Sequence, residues 1–158
     1  MLLQCTLVFV FDEKNRILLA MKKRGFGAGK WNGAGGKIEA GETVAGAAVR
    51  ELHEETGVAI SPESLEPRGI LHFNFPQKPE WDRDVHVFVF YGYKGGFIET
   101  DEMRPEWFDI DTIPYDDMWE ADRYWLPRVI EGESVEFEFY IGNDGCVEEY
   151  VEAYGGTD

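Results

Sequence analysis

From Gly36 to Val58 the chain reads glycine, five residues, Glu42, seven residues, and then Arg50-Glu51-Leu52-His53-Glu54-Glu55-Thr56-Gly57-Val58. The pattern's four glutamates, Glu42, Glu51, Glu54 and Glu55, and its arginine suit one kind of chemistry, the holding of divalent cations against a phosphate chain. Carboxylates are hard oxygen ligands that match magnesium or manganese, and these ions favour a few carboxylates plus substrate phosphate oxygens over an all-protein cage. Glu51 and Glu55 lie one helical turn apart with Glu54 beside them. Such like charges cost a helix about 0.2–0.5 kcal/mol per pair, so something positive has to offset them. Glu51, Glu54 and Glu55 are therefore the candidate metal and catalytic residues, and Arg50 pairs with Glu42 to hold the preceding loop against the helix.

Stepping from the carboxylates to the elements that carry them, Thr43 is a good N-cap and Gly57 can adopt the left-handed conformation that ends a helix. Val44, Ala45, Ala48, Val49 and Leu52 share one face at the helical period and should pack on a sheet. Seven of the eighteen glycines fall between Gly25 and Gly41, too many for a strand or helix, so a tightly folding loop leads into this helix. Before it, the apolar runs 5–11 and 17–21 read as a hairpin around the polar 12–16. After it, strands are expected at 69–75, 84–93, 96–99 and 106–109. A short helix is expected between Asp116 and Ile130, interrupted or ended by Pro127. A closing hairpin is expected from 134–141 and 146–154 around Gly142-Asn143-Asp144-Gly145.

With 158 residues and 44% hydrophobic content the chain suits a single domain, 1–158, with its own core. The formal charge of −16 disfavours a nucleic-acid polymer, whose phosphates require a positive counter-field. A small polyphosphate stays compatible, because Lys22, Lys23, Arg24, Lys30 and Lys37 cluster near the glycine loop and metal ions can neutralise the rest. The apolar runs are too short to span a bilayer and the N-terminus lacks a basic leader, so a soluble cytoplasmic monomer with no membrane association is expected. Cys5 and Cys146 lie in strand-like segments and are expected to be free, buried thiols.

The 36–58 pattern matches the Nudix box of nucleoside diphosphate hydrolases without departure, and the chain resembles that superfamily. The resemblance implies an α/β fold with a central mixed sheet sandwiched between helices, and metal-assisted cleavage of a pyrophosphate link. It implies that Glu51, Glu54 and Glu55 hold magnesium, or manganese, completed by the Gly35 or Gly36 carbonyl, with Glu55 nearest the attacking water. The segments 21–33, 101–105, 117–119 and 124–125 narrow the likeness to the oxidised purine nucleoside triphosphate hydrolases, the MutT homologues, over about residues 5–130. By that resemblance Trp119 and Met103 sandwich a purine and Asn32 and Asp122 bind its edge. Thr6 and Phe73 line the pocket, and Lys22, Gly35, Gly36 and Lys37 meet the sugar and phosphates. Glu102 adds a carboxylate near the metals.

One departure falls inside the base site. Where that group has Pro-Asp-Asp after the tryptophan, this chain has Glu120-Ala121-Asp122, so one of two base-reading carboxylates is a methyl group. The expectation is that an 8-oxo-guanine nucleotide is accepted through Asp122 and Asn32 and that 2-oxo-adenine is handled less well. Two other readings are compatible with the box. One is hydrolysis of a different nucleotide, such as a diadenosine polyphosphate, ADP-ribose or a normal dNTP, and the other is a binding module without turnover.

Overall fold

The computed structural model describes residues 2–153. Eight strands form one mixed sheet: β1 (Leu3–Asp12), β2 (Arg16–Lys22), β3 (Trp31–Asn32), β4 (Glu66–Asn74), β5 (Arg83–Tyr93), β6 (Met103–Asp109), β7 (Val135–Ile141) and β8 (Val147–Glu152). The order is β3-β2-β1-β5-β4-β7-β8, with β6 also on β2. β1 runs parallel to β5 and β4 to β7, and the other pairings are antiparallel. Helices α1 (Val44–Thr56) and α2 (Asp122–Ile130) cover opposite faces. Alternation along β1 makes this possible. Val8 and Val10 face Ala48 and Leu52 of α1, whereas Leu7, Phe9 and Phe11 join Trp125, Leu126 and Val129 of α2 in the larger core. The expected sandwich is the observed one.

Helix α1 begins and ends where its capping residues dictate. The Thr43 hydroxyl accepts from the Gly46 N–H at 3.0 Å, and Gly57, at φ 78°, donates its N–H to the His53 carbonyl. Two expectations about the later elements need correction. Residues 96–99 are not a strand. Ile98 donates its N–H to the Thr56 carbonyl at 2.7 Å and packs against Gly57, so the segment closes the end of α1. Helix α2 continues through Pro127 to Ile130. The proline withholds one N–H from the carbonyl of exposed Arg123, while buried Trp125, Leu126 and Val129 hold the helix to the sheet. The closing hairpin forms as expected, position 154 lying outside the described residues. Cys5 is buried, but Cys146 is exposed at the start of the returning strand, because its side of that edge hairpin faces away from the core.

The hairpin of β1 and β2 pairs at its tip, Val10 with Leu18 and Phe11 with Ile17, and then splays. Into the gap goes the glycine loop. Ala20 and Met21 of β2 pair with Asn32 and Trp31 of β3, while Val8 and Cys5 of β1 bridge to Ala34 and Lys37. This wedge requires glycine at two positions: a Cβ on Gly35 would lie 1.8 Å from the Thr6 carbonyl oxygen, and one on Gly36 would lie 2.4 Å from the Glu51 carboxylate. The wedge presses the loop backbone directly against the acidic edge of α1.

Candidate active site

At that edge Arg50 organises the carboxylates. Its guanidinium grips Glu42 with two hydrogen bonds, Nε to Oε2 at 2.6 Å and Nη2 to Oε1 at 3.0 Å, and donates to the Lys37 carbonyl at 3.1 Å. Glu42 also accepts the Glu39 N–H at 2.8 Å. The loop is thus stapled to the helix by the pairing that the sequence indicated. The remaining Arg50 nitrogen reaches Glu51 at 3.2 Å and Glu54 at 3.3 Å.

Glu55 is half-buried and accepts a single hydrogen bond, from the Gly35 N–H at 3.1 Å. Burial pushes its carboxyl up to about 8, against the opposing pull of that N–H, with neighbouring Glu51 adding to the rise. Burial also raises Glu51, and Arg50 opposes it. Two desolvated carboxylates with free oxygen lone pairs, facing a glycine backbone, suit a hard divalent cation. Among the described residues no three acidic, histidine or cysteine side chains converge into a ready-made cage, as expected where substrate phosphates supply part of the ligand shell.

Beside Glu55 opens a cavity of about 610 Å³, a size that takes a nucleotide. It lies on the α2 side of the sheet and is lined by Thr6, Lys22, Asn32, Gly35, Gly36, Glu55, Phe73, Met103, Trp119 and Asp122, all expected at the site. Lys37, Glu102, Glu51 and Glu54 are not part of the wall. Lys37 is exposed and contributes its carbonyl to Arg50, Glu102 is exposed and contributes its carbonyl to the Lys23 N–H, and Glu51 and Glu54 sit outside the rim with Arg50.

The two ends of the cavity differ in character. Lys22 lies close enough to the Glu55 carboxyl to act on it and puts a positive charge at that end. At the far end Asp122 is 4% exposed, its Oδ1 accepting the Trp125 indole N–H at 3.2 Å while Oδ2 has no partner. Burial pushes its carboxyl up to about 7, with the Trp125 N–H, the Trp119 backbone contact and Lys30 opposing. The Thr6 hydroxyl is likewise buried and unpartnered. Unmet buried polar atoms cost about 1–3 kcal/mol each, which makes this wall receptive to a ligand with complementary donors and acceptors. Ala121 is buried on the same wall, at 2% exposure, where a second carboxylate would have needed a partner of its own. Asn32 turns its amide oxygen to the Gly33 N–H at 2.8 Å, leaving its amide hydrogens to the cavity.

Several wall residues were not singled out from sequence. Phe26 lies across Trp119 with ring centroids 5.2 Å apart and touches Trp81 at the same 5.2 Å, so two distant loops meet over the mouth. Lys78 sits over Trp81 at 4.4 Å, and Lys30, which the sequence offered only as one of a basic cluster, lies over the Trp119 ring at 5.0 Å. Arg83 enters from β5, and the hairpin tip at 142–145 closes the side near Trp119. No spacing rule could have found them, since each reaches the cavity through a strand register or loop closure of long sequence separation. The one available signal was the glycines flanking Phe26, which imply an exposed aromatic on a tight turn.

Comparison with known proteins agrees with this geometry. The model of the NUDIX domain matches residues 1–129. The chain is 50% identical over 126 residues to the oxidized purine nucleoside triphosphate hydrolase of Danio rerio, covering 80% of this chain and 78% of that one. It is 47% identical to the protein of the same name from Mus musculus, over the same shares. The crystal structure of the MutT protein from Bacillus halodurans superposes with a TM-score of 0.84 over 98% of this chain and all of that one; at 24% identity this is a likeness of fold. No helix among the described residues is long and apolar enough to cross a membrane. The box on α1, the glycine wedge that faces it and the match across residues 1–129 lead to one assignment: the chain belongs to the Nudix family, hydrolases that generally use divalent metal ions and act on small-molecule nucleotides.

Proposed function

We propose that the protein hydrolyses oxidised purine nucleoside triphosphates, of the 8-oxo-dGTP kind, to the monophosphate and pyrophosphate with magnesium, manganese substituting. The observation that carries this reading is the continuity of one cavity from Glu55 to Asp122, long enough to take the phosphates at the first and the base at the second. Relatives with the same name-giving activity support it.

Glu51, Glu54 and Glu55 would hold the metal, which supplies charge neutralisation at the phosphoryl oxygens and a more acidic water. Glu55 is the residue placed to hold the attacking water's proton, being half-buried at the cavity wall and fixed by the Gly35 N–H. Gly35 and Gly36 let the phosphate chain approach the backbone, and Lys22 meets its charge. Arg50 acts by position, fixing the loop to the helix through Glu42. At the other end Trp119 and Met103 take the faces of the purine, and Asp122, Asn32 and Thr6 meet its edge. Phe26 already covers one side of Trp119, so a base stacking there displaces or slides along that ring. The protein acts as a monomer on a free nucleotide.

The deciding measurement is pyrophosphate release from 8-oxo-dGTP and from dGTP at equal concentration with magnesium. A strong preference for the oxidised nucleotide is expected. A ratio near one would remove the substrate assignment and leave the family assignment standing.

A further inference from the structure

Arg83 stands apart from the charges around it. It lies at the start of β5, half-buried, on the cavity wall. Its Nε donates to the Trp81 carbonyl at 2.8 Å, which fixes the guanidinium relative to the β4–β5 loop. Beyond that it faces the Cys5 thiol, whose pKa is raised by burial against the opposing pull of the Arg83 charge and hydrogen bond. Among the described residues no carboxylate lies within 4 Å of it, in a chain with 31 acidic residues and only 15 basic ones. Six other arginines do form ion pairs: Arg16, Arg50, Arg68, Arg104, Arg123 and Arg128. A half-desolvated cation without an anion is costly unless something rich in acceptors visits it.

The register says which end of the cavity it serves. Arg83 pairs directly with Phe73 of β4 on one side and with Leu3 of β1 on the other, so its side chain rises next to a ring assigned to the base. The charges acting on the Glu55 carboxyl come from Glu51, Lys22 and Glu54, which places the phosphate end elsewhere. Arg83 therefore offers its fork of N–H donors to the floor of the base site, which it shares with Asp122 and with Lys30 over the Trp119 ring, and where Ala121 leaves only a methyl group.

We propose that Arg83 is a substrate-binding residue that selects 6-keto over 6-amino purines, donating to the 6-carbonyl oxygen of a bound guanine-type base. A guanidinium has donors only, so it pairs with a 6-keto oxygen and opposes the N–H donors of a 6-amino group. This deepens the proposed hydrolysis of oxidised purine nucleotides and rests on it. It gives a physical reason for the guanine preference expected from Ala121: the site has lost one adaptable carboxylate and holds a fixed donor.

The test compares the parent with Arg83→Met and Arg83→Lys, each checked for an unchanged melting transition. For each, kcat and KM are measured on 8-oxo-dGTP and 2-oxo-dATP, together with calorimetric binding of 8-oxo-dGMP. Arg83→Met should raise KM for 8-oxo-dGTP by roughly tenfold or more with kcat little changed, while 2-oxo-dATP moves far less, so the guanine preference collapses. Arg83→Lys, which keeps the charge and loses the fork, should recover part of it. Equal losses on both nucleotides would assign Arg83 to phosphate or to loop support, and no loss would assign it no role; either overturns the proposal while leaving hydrolysis intact. If the parent releases no pyrophosphate, the hydrolysis reading fails, and unchanged 8-oxo-dGMP affinity in Arg83→Met then overturns the base-reading role as well. If Arg83→Met does not fold, Arg83→Lys and Arg83→Gln carry the same comparison.

Discussion

The two ends of the cavity are built on opposite principles. At the Glu55 end, charges crowd just outside the rim, partly exposed and already paired with one another: Arg50 joins Glu42, Glu51 and Glu54 within 3.3 Å, and these residues come from one continuous stretch of chain. At the Asp122 end the polar groups are few and half or wholly buried, the Thr6 hydroxyl and one Asp122 oxygen lack a partner, and the residues come from β1, β3, β5 and α2. The contrast separates reaction from recognition. A cation site can be assembled locally, because a helix and its preceding loop bring carboxylates together by spacing alone. A site that reads a flat base must enclose it, and enclosure takes walls from distant elements.

Four changes probe this contrast, the largest first. Glu55→Gln should lower kcat by about 10³-fold or more with nucleotide binding retained, since it removes the carboxylate held at the metal-facing wall; retained turnover would move the chemistry away from α1. Trp119→Ala should raise KM by roughly 10–100-fold, the value of one aromatic stacking contact, with kcat much less affected. A kcat loss matching the KM change would show that the two ends are not separable.

Asp122→Asn addresses the buried carboxyl through pH. With burial raising its folded value to about 7, above the ordinary carboxyl value of 3.8, the native state keeps a proton that the unfolded chain releases. The stability it contributes is fully present below about pH 4 and is lost as pH rises to about 7, at up to about 1.4 kcal/mol per pH unit. The difference in melting temperature between parent and Asp122→Asn, followed from pH 4 to 8, should therefore shift steadily in favour of the variant and then level off. A flat difference would show that Asp122 ionises normally and that the base end is wetter than its burial implies. The smallest effect is expected for Phe26→Ala. Its ring is 63% exposed and only covers Trp119, so stability should change by under about 1 kcal/mol while KM changes a few-fold.

Sequence legibility follows the same division. The caps of α1, the Arg50–Glu42 pairing, the hairpins and the glycine loop were readable because each is set by residues within about a dozen positions of one another. The cavity residues Asn32, Met103, Trp119 and Asp122 were reachable only by resemblance, and Phe26, Trp81 and Arg83 not at all, because strand register and loop closure bring them in. Residues 96–99 misled for a related reason: an apolar Phe97-Ile98 pair reads as strand, yet Gly57 leaves a surface at the end of α1 that Ile98 fills. Cys146 misled because alternation alone does not say which face of an edge hairpin is covered.

The glycine loop lodged between β1 and β2 has a consequence for motion. The Thr6, Val8 and Ala34 amides all bond across that junction, at 2.9, 2.7 and 3.1 Å, and Ile38 bonds to Gln4 at 2.9 Å. To swing away, residues 34–38 must break strand-like hydrogen bonds next to the core, so those amide protons should exchange with solvent as slowly as those of the central strands. The active-site loop then unfolds with the domain rather than ahead of it. That side of the cavity shares the lifetime of the fold, and on the proposed function any adjustment to a nucleotide would fall to the aromatic mouth, on the far side.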